Sequence, residues 1–592
     1  MKSMMDCLTP LLSTSDTCSS HGSQVQVRQT TEIDTDALTK TPIHIISSLQ
    51  ALSFQLPSYN NKRPIPTQDT NVNVGAQVSA SVPHLRTAHA QRRLATSLAN
   101  APSLRLQFTL KRDSMKIYGQ SQFYVFANPV VSSDNTSVLY DGYAAFMDGT
   151  KHYTLMLVNG IAYFVTSTSG SQTAQCLSSS LLPPLNSIVA ALNGATAIAG
   201  ASVGNDTIKC ASGDLLQATL GDATFVICSS GSDGFTIYGS DLDISVEYLD
   251  SPVTITAPTL SDNAALSCET VVTSPKVTST TLALLTGQSV SSSRSRKLKT
   301  EATTTLASSS CTCQSTPRPC IFFHGVGSSI EQTTLQSSSS HFGDISKSAP
   351  CCSSIKYAVL NTVSNPWTDA TLQQKVCNFA LSVSSTSSSS SKTIADTIIV
   401  THSMGGLMMA GALANNRCKF ASSTTWVSLS APMTGSMGSD YLQNVCSGKN
   451  EFLQAVANLI GKCPASNAVL KMAYEDEAHS TSALNAAYAA AQSPFQANVD
   501  AAMCSDNYSG LLSTDQVEYQ LAGSLIPHKS DQNDGVVEYK SCAGGLSASK
   551  FGNTYDDTFY LTGLNHADTA FHHGDALVVN SQKPVKWFEC LL

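Results

Sequence analysis

Charge is scarce in this sequence. Asp, Glu, Lys and Arg supply 13 % of its 592 residues, about half of the roughly 25 % usual in soluble domains. The balance of 34 basic against 42 acidic residues gives −8, which leaves no basic face for phosphates and makes nucleic acid an unsuitable partner. No run of 18 or more apolar residues occurs, so no ordinary transmembrane segment is expected. Paired C-x-x-C spacing is missing as well: Cys311-Thr-Cys313 and Cys351-Cys352 do not read as a zinc ribbon. The group His566, Asp568, His572, His573 and Asp575 matches no ligand spacing, so neither metal nor cofactor is expected. Met1 to Ser20 lacks the continuous apolar stretch of a signal peptide, and no internal repeat links the two halves.

What is present is core material and cysteine. Hydrophobic residues make up 42 %, ample for at least one large core, and at about 150 residues per domain the length suggests about four domains. Of the 18 cysteines, six lie in the first half (Cys7, Cys18, Cys176, Cys210, Cys228, Cys268) and twelve run from Cys311 to Cys590. An even number with low charge points to a secreted, disulfide-bonded protein. Sequons at Asn135, Asn205 and Asn507 agree with that reading and with a glycoprotein. The missing signal peptide stands against it, and leaves three alternatives: a different start, unconventional export, or reduced cysteines.

Residues 1–102 are rich in Ser, Thr, Gln, Asn and Pro without sustained period, and read as a disordered or leader region, with Arg92-Arg93-Leu94 as a conceivable processing signal. From Leu104 the pattern changes: Leu104, Leu106, Phe108 and Leu110 alternate with polar residues at the period of a half-buried strand. Asp148-Gly149 and Asn159-Gly160 punctuate apolar runs as hairpin turns do. Leu185, Ile188, Val189 and Leu192 share one helical face that Asn193-Gly194 ends, and strands resume at Ala223–Ile227, Phe235–Tyr238 and Leu242–Tyr248. Residues 103–257 thus form an antiparallel β-rich (α+β) domain with one helix. Residues 258–316, with the basic knot Arg294 to Lys299, read as a flexible Ser/Thr-rich linker.

The second half alternates short apolar runs with helical segments, the mark of a mostly parallel sheet covered on both faces. The runs are Ile321–His324, Lys356–Leu360, Thr397–Thr401, Thr425–Leu429, Gln520–Leu525 and Thr558–Gly563. Ser384–Ser391 reads as a surface loop.

One run carries chemistry. Asp396 to Thr401 is a strand, His402-Ser403-Met404-Gly405-Gly406 a sharp turn, and the small residues after it a helix. That geometry projects a serine hydroxyl clear of a sheet and sets a helix N-terminus beneath a forming oxyanion. Thr401 stands where this elbow usually has its first glycine. A serine needs a base and an orienting acid to become a nucleophile, and these follow in the chain as Asp/Glu, then His. Asp534, in Asp-Gly-Val-Val, sits in a turn able to aim a carboxylate, with Asp531 as the alternative acid. His566 follows the Thr558–Gly563 strand, with His528, His572 and His573 as rivals. After the first strand, His324-Gly325-Val326-Gly327 exposes backbone amides, so Val326 can pair with Met404 as oxyanion donor while His324 shapes the loop.

Together these four elements (324–327, 402–406, 534–537 and 565–566) resemble the α/β-hydrolase superfamily in its lipase/esterase-like branch. Similar motifs occur in lipases, palmitoyl-protein thioesterases and the hydrolase domain of GPI inositol deacylases. The resemblance covers about residues 317–592. It implies a C-terminal α/β-hydrolase domain with a helical cap at about 432–515, in which Leu453, Val456, Leu459, Ile460 and Tyr488 suit an acyl chain or serve as plain core. It also implies acyl transfer to Ser403 and hydrolysis by a water that His566 activates. The reading is a two-domain serine hydrolase acting on an ester or lipid, with the N-terminal domain free to contact a surface, glycan or lipid. Its rivals are a binding or adhesive protein on a degenerate hydrolase fold, and a thioesterase or inositol-deacylase-like enzyme.

Overall fold

The computed structural model describes residues 97–177, 187–211, 214–260, 268, 270, 276–290, 302–448, 459, 461–513 and 515–592. Most of the expected leader, the Arg92-Arg93 pair, the basic knot, Leu185, and Leu453, Val456 and Ile460 lie outside these residues.

The alternation at Leu104–Leu110 is realised residue by residue, with the apolar positions buried and the polar ones half-buried. The hairpin signals also act as turns: Asn159 and Gly160 both take positive φ (53° and 77°), as the tight turn matching strand twist demands. They join Lys151–Val158 to Ile161–Thr168 in antiparallel register. Among the described residues an eleven-stranded antiparallel sheet runs from Ser171–Leu177 at one edge, through Leu104–Leu110 and Leu242–Tyr248 at its centre, to Thr196–Ile198 at the other. Its inner face packs Phe108, Phe123, Phe146, Ile227 and Ile244 against the short helix Ile188–Asn193.

The 258–316 segment holds more structure than a flexible connector. Helix Ser279–Thr286, capped by Thr278 and closed by Gly287 at φ 74°, buries Leu284 and Leu285 in the core of the antiparallel sheet. Strand Thr303–Leu306 then pairs in parallel with Gly200–Val203. Average composition concealed these two short apolar faces inside a Ser/Thr background.

A separate seven-stranded parallel sheet follows. Its order is Cys352–Ala358, Arg318–Phe323, Ile398–His402, Thr425–Leu429, Ala501–Ser505, Phe559–Thr562 and Phe551–Gly552. Two expectations are corrected here. Gln520–Leu525 is not a strand but the end of helix Gln516–Leu525; its spaced apolar residues fit both periods, and the fully buried Ala522 seats it against the helical layer. The strand before it is Ala501–Ser505, small residues with no β-branched side chain to announce them. Tyr488, a candidate for lining an acyl chain, belongs to the body of the fold. Helix Ser482–Asn498 buries it against Trp367, with ring centroids 5.2 Å apart, and sets Phe495 edge-on to Trp426.

Eight disulfides tie the described chain together: 176–268, 210–228, 311–590, 313–351, 320–352, 377–418, 446–463 and 504–542. Cys7 and Cys18 lie outside the described residues. No helix among these residues is long and apolar enough to cross a membrane. The sequon residues Asn135, Asn205 and Asn507 are all exposed.

The two sheets share buried charge. Asp241, from the antiparallel sheet's side, accepts from Lys583 and Lys586 at 2.7 Å each, all three side chains at most 5 % exposed. Arg112 meets Glu589 at 2.7 Å and Asp575 at 3.6 Å, and Val578 packs into the antiparallel sheet's core. Removing one partner of such a group leaves uncompensated charge in a medium unable to solvate it. Asp241→Asn is therefore expected to destabilise the protein by about 3–5 kcal/mol, read by denaturant unfolding. A chain cut back to about residues 305–592 loses Asp241 and Arg112 together and is expected not to fold; recovery of a cooperative, folded fragment would refute this.

Candidate active site

The parallel sheet reverses its order beside its first strand. Arg318–Phe323 leads outward to Cys352–Ala358, whereas its other neighbour, Ile398–His402, leads the opposite way. Chains leaving adjacent strands in opposite directions open a crevice at the strands' carboxyl ends. His324-Gly325 and Ser403 occupy those two ends.

Ser403 takes φ 56°, ψ −132°, a conformation that costs an L-residue energy and persists only where the surroundings enforce it. Its N–H donates to Leu429 O at 2.9 Å, and its carbonyl accepts from Gly406 N at 3.0 Å. Close packing dictates the neighbouring glycines. A Cβ on Gly405 would stand 2.5 Å from Phe323 O, one on Gly406 2.4 Å from Ala431 Cβ, and one on Gly325 2.6 Å from Ser403 Cβ. Thr401, at the elbow's departure from Gly, is fully buried and accepts from the Trp426 indole N–H at 3.0 Å. Met404 opens helix Met404–Ala414, so its amide is among the donors that a helix start leaves without an intrahelical acceptor.

Asp534 and His566 are brought into contact. His566 Nδ1 lies 2.7 Å from Asp534 Oδ2. The other carboxylate oxygen accepts from the amides of Val536 (3.0 Å) and Val537 (2.7 Å), a turn made possible by Gly535 at φ 92°. The His566 N–H closes the arrangement on Asp534 O at 3.0 Å. Its own carbonyl is held from two sides, by His402 Nε2 at 3.0 Å and Thr569 Oγ1 at 3.0 Å. Asp531 is exposed. Asp568 is engaged elsewhere, accepting from Leu511 N at 2.7 Å and meeting His573 Nδ1 at 2.7 Å. His528 pairs with Glu538 at 2.7 Å.

Ser403 and His566 line one cavity of about 200 Å³, together with Gly325, Val326, Pro432 and Met472. An imidazole fixed at Nδ1 by a carboxylate presents Nε2 as a base, and backbone amides at the mouth of a crevice suit a developing oxyanion. His324 is turned away from the cavity. Its Nε2 accepts from Leu360 N at 3.1 Å, which leaves Nδ1–H to donate to Gly325 O at 2.8 Å, and its ring stacks on His341 at 4.1 Å.

Motif reading missed His341 and Ser436, which line the cavity and which no local pattern marks; it named His528 only as a rival base, and the fold instead buries that ring against Glu538 at 2.7 Å.

Burial works to raise the Asp534 carboxyl, but the His566 ring and the Val536 and Val537 amides outweigh it and hold the group below its ordinary value. Burial drives the histidines around it the other way. His324 falls to about 4, by burial and then its neighbour His341. Burial likewise lowers His341 and His572, and takes His402 well below the usual value. Groups whose folded pKa is depressed below the unfolded 6.5 favour the fold above that pH, because unfolding takes up protons below it. Asp534 acts in the same sense at lower pH. His573, raised by Asp568 against the pull of burial, opposes them. Carboxyls that burial raises, Asp440, Asp500 and Glu518 among them, work against the histidines in that range. The histidine contribution is therefore read by difference: as pH drops from 6.5 towards 4, the melting temperature of His341→Gln is expected to rise relative to that of the wild type, as thermal unfolding of both proteins checks.

No protein-family model matches this chain, and no curated protein does. Among solved structures, lipase 1 from Pelosinus fermentans is similar, at 12 % identity over 46 % of this chain and 97 % of that one, with a TM-score of 0.27. Similarity at that level is too slight to assign either fold family or activity.

Proposed function

We propose that residues 317–592 form an α/β-hydrolase domain of the lipase/esterase-like kind, and that the protein is a serine hydrolase cleaving carboxylic esters through an acyl-enzyme on Ser403. The observation that carries this reading is the Asp534–His566 contact of 2.7 Å on the same cavity as a serine held at positive φ. Ser403 Oγ attacks the ester carbonyl while His566 Nε2 takes its proton. Asp534 holds the imidazole in the required tautomer and stabilises the imidazolium. The amides of Val326 and Met404 receive the oxyanion. On collapse the alcohol leaves with the proton from His566. A water, deprotonated by the same ring, then attacks the acyl-enzyme and frees the acid and Ser403. His402 positions His566 through its carbonyl, and Gly325, Gly405 and Gly406 let the loops approach.

Leu459, Val469 and Met472 give the cavity an apolar side for an acyl chain. Eight disulfides support the proposal of a secreted enzyme. A panel of p-nitrophenyl esters from acetate upward, run beside matching thioesters, tests the reading. Turnover of the esters supports it, thioester preference would move it to a thioesterase, and no turnover of either would leave a binding protein on a hydrolase scaffold.

A further inference from the structure

The Asp534 carboxylate sits at the tip of a short hairpin, and hydrogen bonds within the tip fix its shape. Asp534 N donates to Val537 O at 3.0 Å, Gly535 N to Asn533 Oδ1 at 2.9 Å, and the Val536 and Val537 amides to Asp534 Oδ1. Below the tip, Asn533 pairs with Glu538 in antiparallel register, and Tyr539 N donates to Gln532 O at 2.9 Å. All of these bonds are local. They set the form of the turn but not where in the molecule it stands.

Contacts beyond the tip do that. Ser436 Oγ donates to Val536 O at 2.5 Å, and Gly535 packs so closely that a Cβ there would stand 2.9 Å from Tyr519 O. At the base of the hairpin His528 Nδ1 meets Glu538 Oε1 at 2.7 Å, with the two side chains 3 % and 0 % exposed. This tie joins the two legs across ten residues, and Asp534 lies between its ends. One leg comes from helix Gln516–Leu525. The other enters helix Tyr539–Ala543, which disulfide 504–542 fastens to strand Ala501–Ser505 of the parallel sheet.

Stability alone is a poor reason for such a pair. A buried acid–imidazole contact loses in desolvation about what it gains in attraction, and apolar residues of like volume serve as well or better. Each side chain also keeps one buried polar atom, His528 Nε2 and Glu538 Oε2, without a hydrogen-bond partner among the described residues. What the contact supplies and an apolar one lacks is direction, a set distance and angle between the two legs. Direction matters here, because an active-site group has to be held to within about 0.5 Å. A displacement of about 1 Å lowers the rate by about 100-fold.

We propose, on the reading of Asp534 as the acid of a serine hydrolase, that His528 and Glu538 are positioning residues whose contact sets the carboxylate where it meets His566. Neither side chain lines the cavity, so both act through Asp534 and not on the substrate.

The test replaces the pair in the full-length protein by apolar side chains of similar size, His528→Leu with Glu538→Met, and reads kcat and KM on p-nitrophenyl butyrate. The melting temperature should hold. KM should stay within about twofold while kcat falls by about 10–100-fold. Glu538→Gln, whose amide oxygen still accepts from Nδ1–H, should recover most of that rate. The apolar pair is then combined with Asp534→Asn. With the acid already gone there is nothing left to position, so the further loss should be below about threefold; a merely structural pair would repeat its full loss. Wild-type kcat in the apolar pair would overturn the proposal, and so would a loss that Asp534→Asn does not absorb; in either case ester turnover that Ser403→Ala abolishes would leave the hydrolase reading standing. A wild-type protein that turns over no ester would overturn both. Should the double replacement not fold, Glu538→Met alone, which leaves no buried carboxylate unpaired, is judged by the same two ratios.

Discussion

Ser403→Ala is expected to lower ester turnover by on the order of 10⁴-fold or more while the protein unfolds at an unchanged or slightly higher temperature. The two parts of that result have separate origins. Loss of Oγ removes the only atom proposed to bond to the acyl group, and because the serine, base and acid act as a unit, deleting one forfeits most of what all three provide. Folding does not depend on that oxygen. The strained backbone at φ 56° is enforced by the Leu429 and Gly406 hydrogen bonds and by the close approach of Gly325, and all of these survive in alanine. Rates for the purified variant, with its thermal unfolding curve, check both parts together. A variant that lost activity by unfolding would say nothing for the assignment, and one that kept wild-type turnover would refute it.

Asp534→Asn should reduce turnover by up to about 10⁴-fold, against little change for Asp531→Asn. The amide is nearly isosteric and can still accept from the Val536 and Val537 N–H groups through its oxygen. Its NH₂, however, meets His566 Nδ1 as a donor where the carboxylate was an acceptor. The imidazole is then driven to the tautomer with its proton on Nε2, where it can no longer take one from Ser403. Asp531 is exposed and touches neither ring nitrogen. Asp568→Asn is a different case. Asp568 anchors Leu511 N and His573, so its loss should show first as lower stability. A full rate for Asp534→Asn beside a collapsed rate for Asp531→Asn would transfer the role.

The readable parts of this chain share a physical character. The elbow and the Asp534 turn were legible because glycine is forced there by neighbours: a Cβ on Gly406 would overlap Ala431, and Gly535 must take φ 92°. The hairpins at Asp148-Gly149 and Asn159-Gly160 were legible through positive φ alone, 59° at Gly149 and 77° at Gly160, since a Cβ on Gly149 would meet nothing within 4 Å. Elements defined by what they pack against were not. Ala501–Ser505 is a strand because it lies buried between Thr425–Leu429 and Phe559–Thr562, and nothing in Ala-Ala-Met-Cys-Ser favours that state alone. Gln516–Leu525 became a helix under the same kind of tertiary override. The Lys583, Lys586 and Asp241 cluster joins residues more than three hundred positions apart, so the dependence of one sheet on the other left no local trace. His341 lies in a Ser-rich loop and stacks on His324 beside the cavity, a contact with no local signature in the sequence.

A fluorophosphonate probe tests the central claim most directly, since it forms a stable adduct only with a serine that its surroundings have made nucleophilic. Incubation with the full-length protein, followed by proteolysis and peptide mass mapping, should place one adduct per chain on Ser403, with none in Ser403→Ala and a strongly slowed reaction in His566→Ala. An unlabelled wild-type protein, or an adduct on any other serine, would contradict the account.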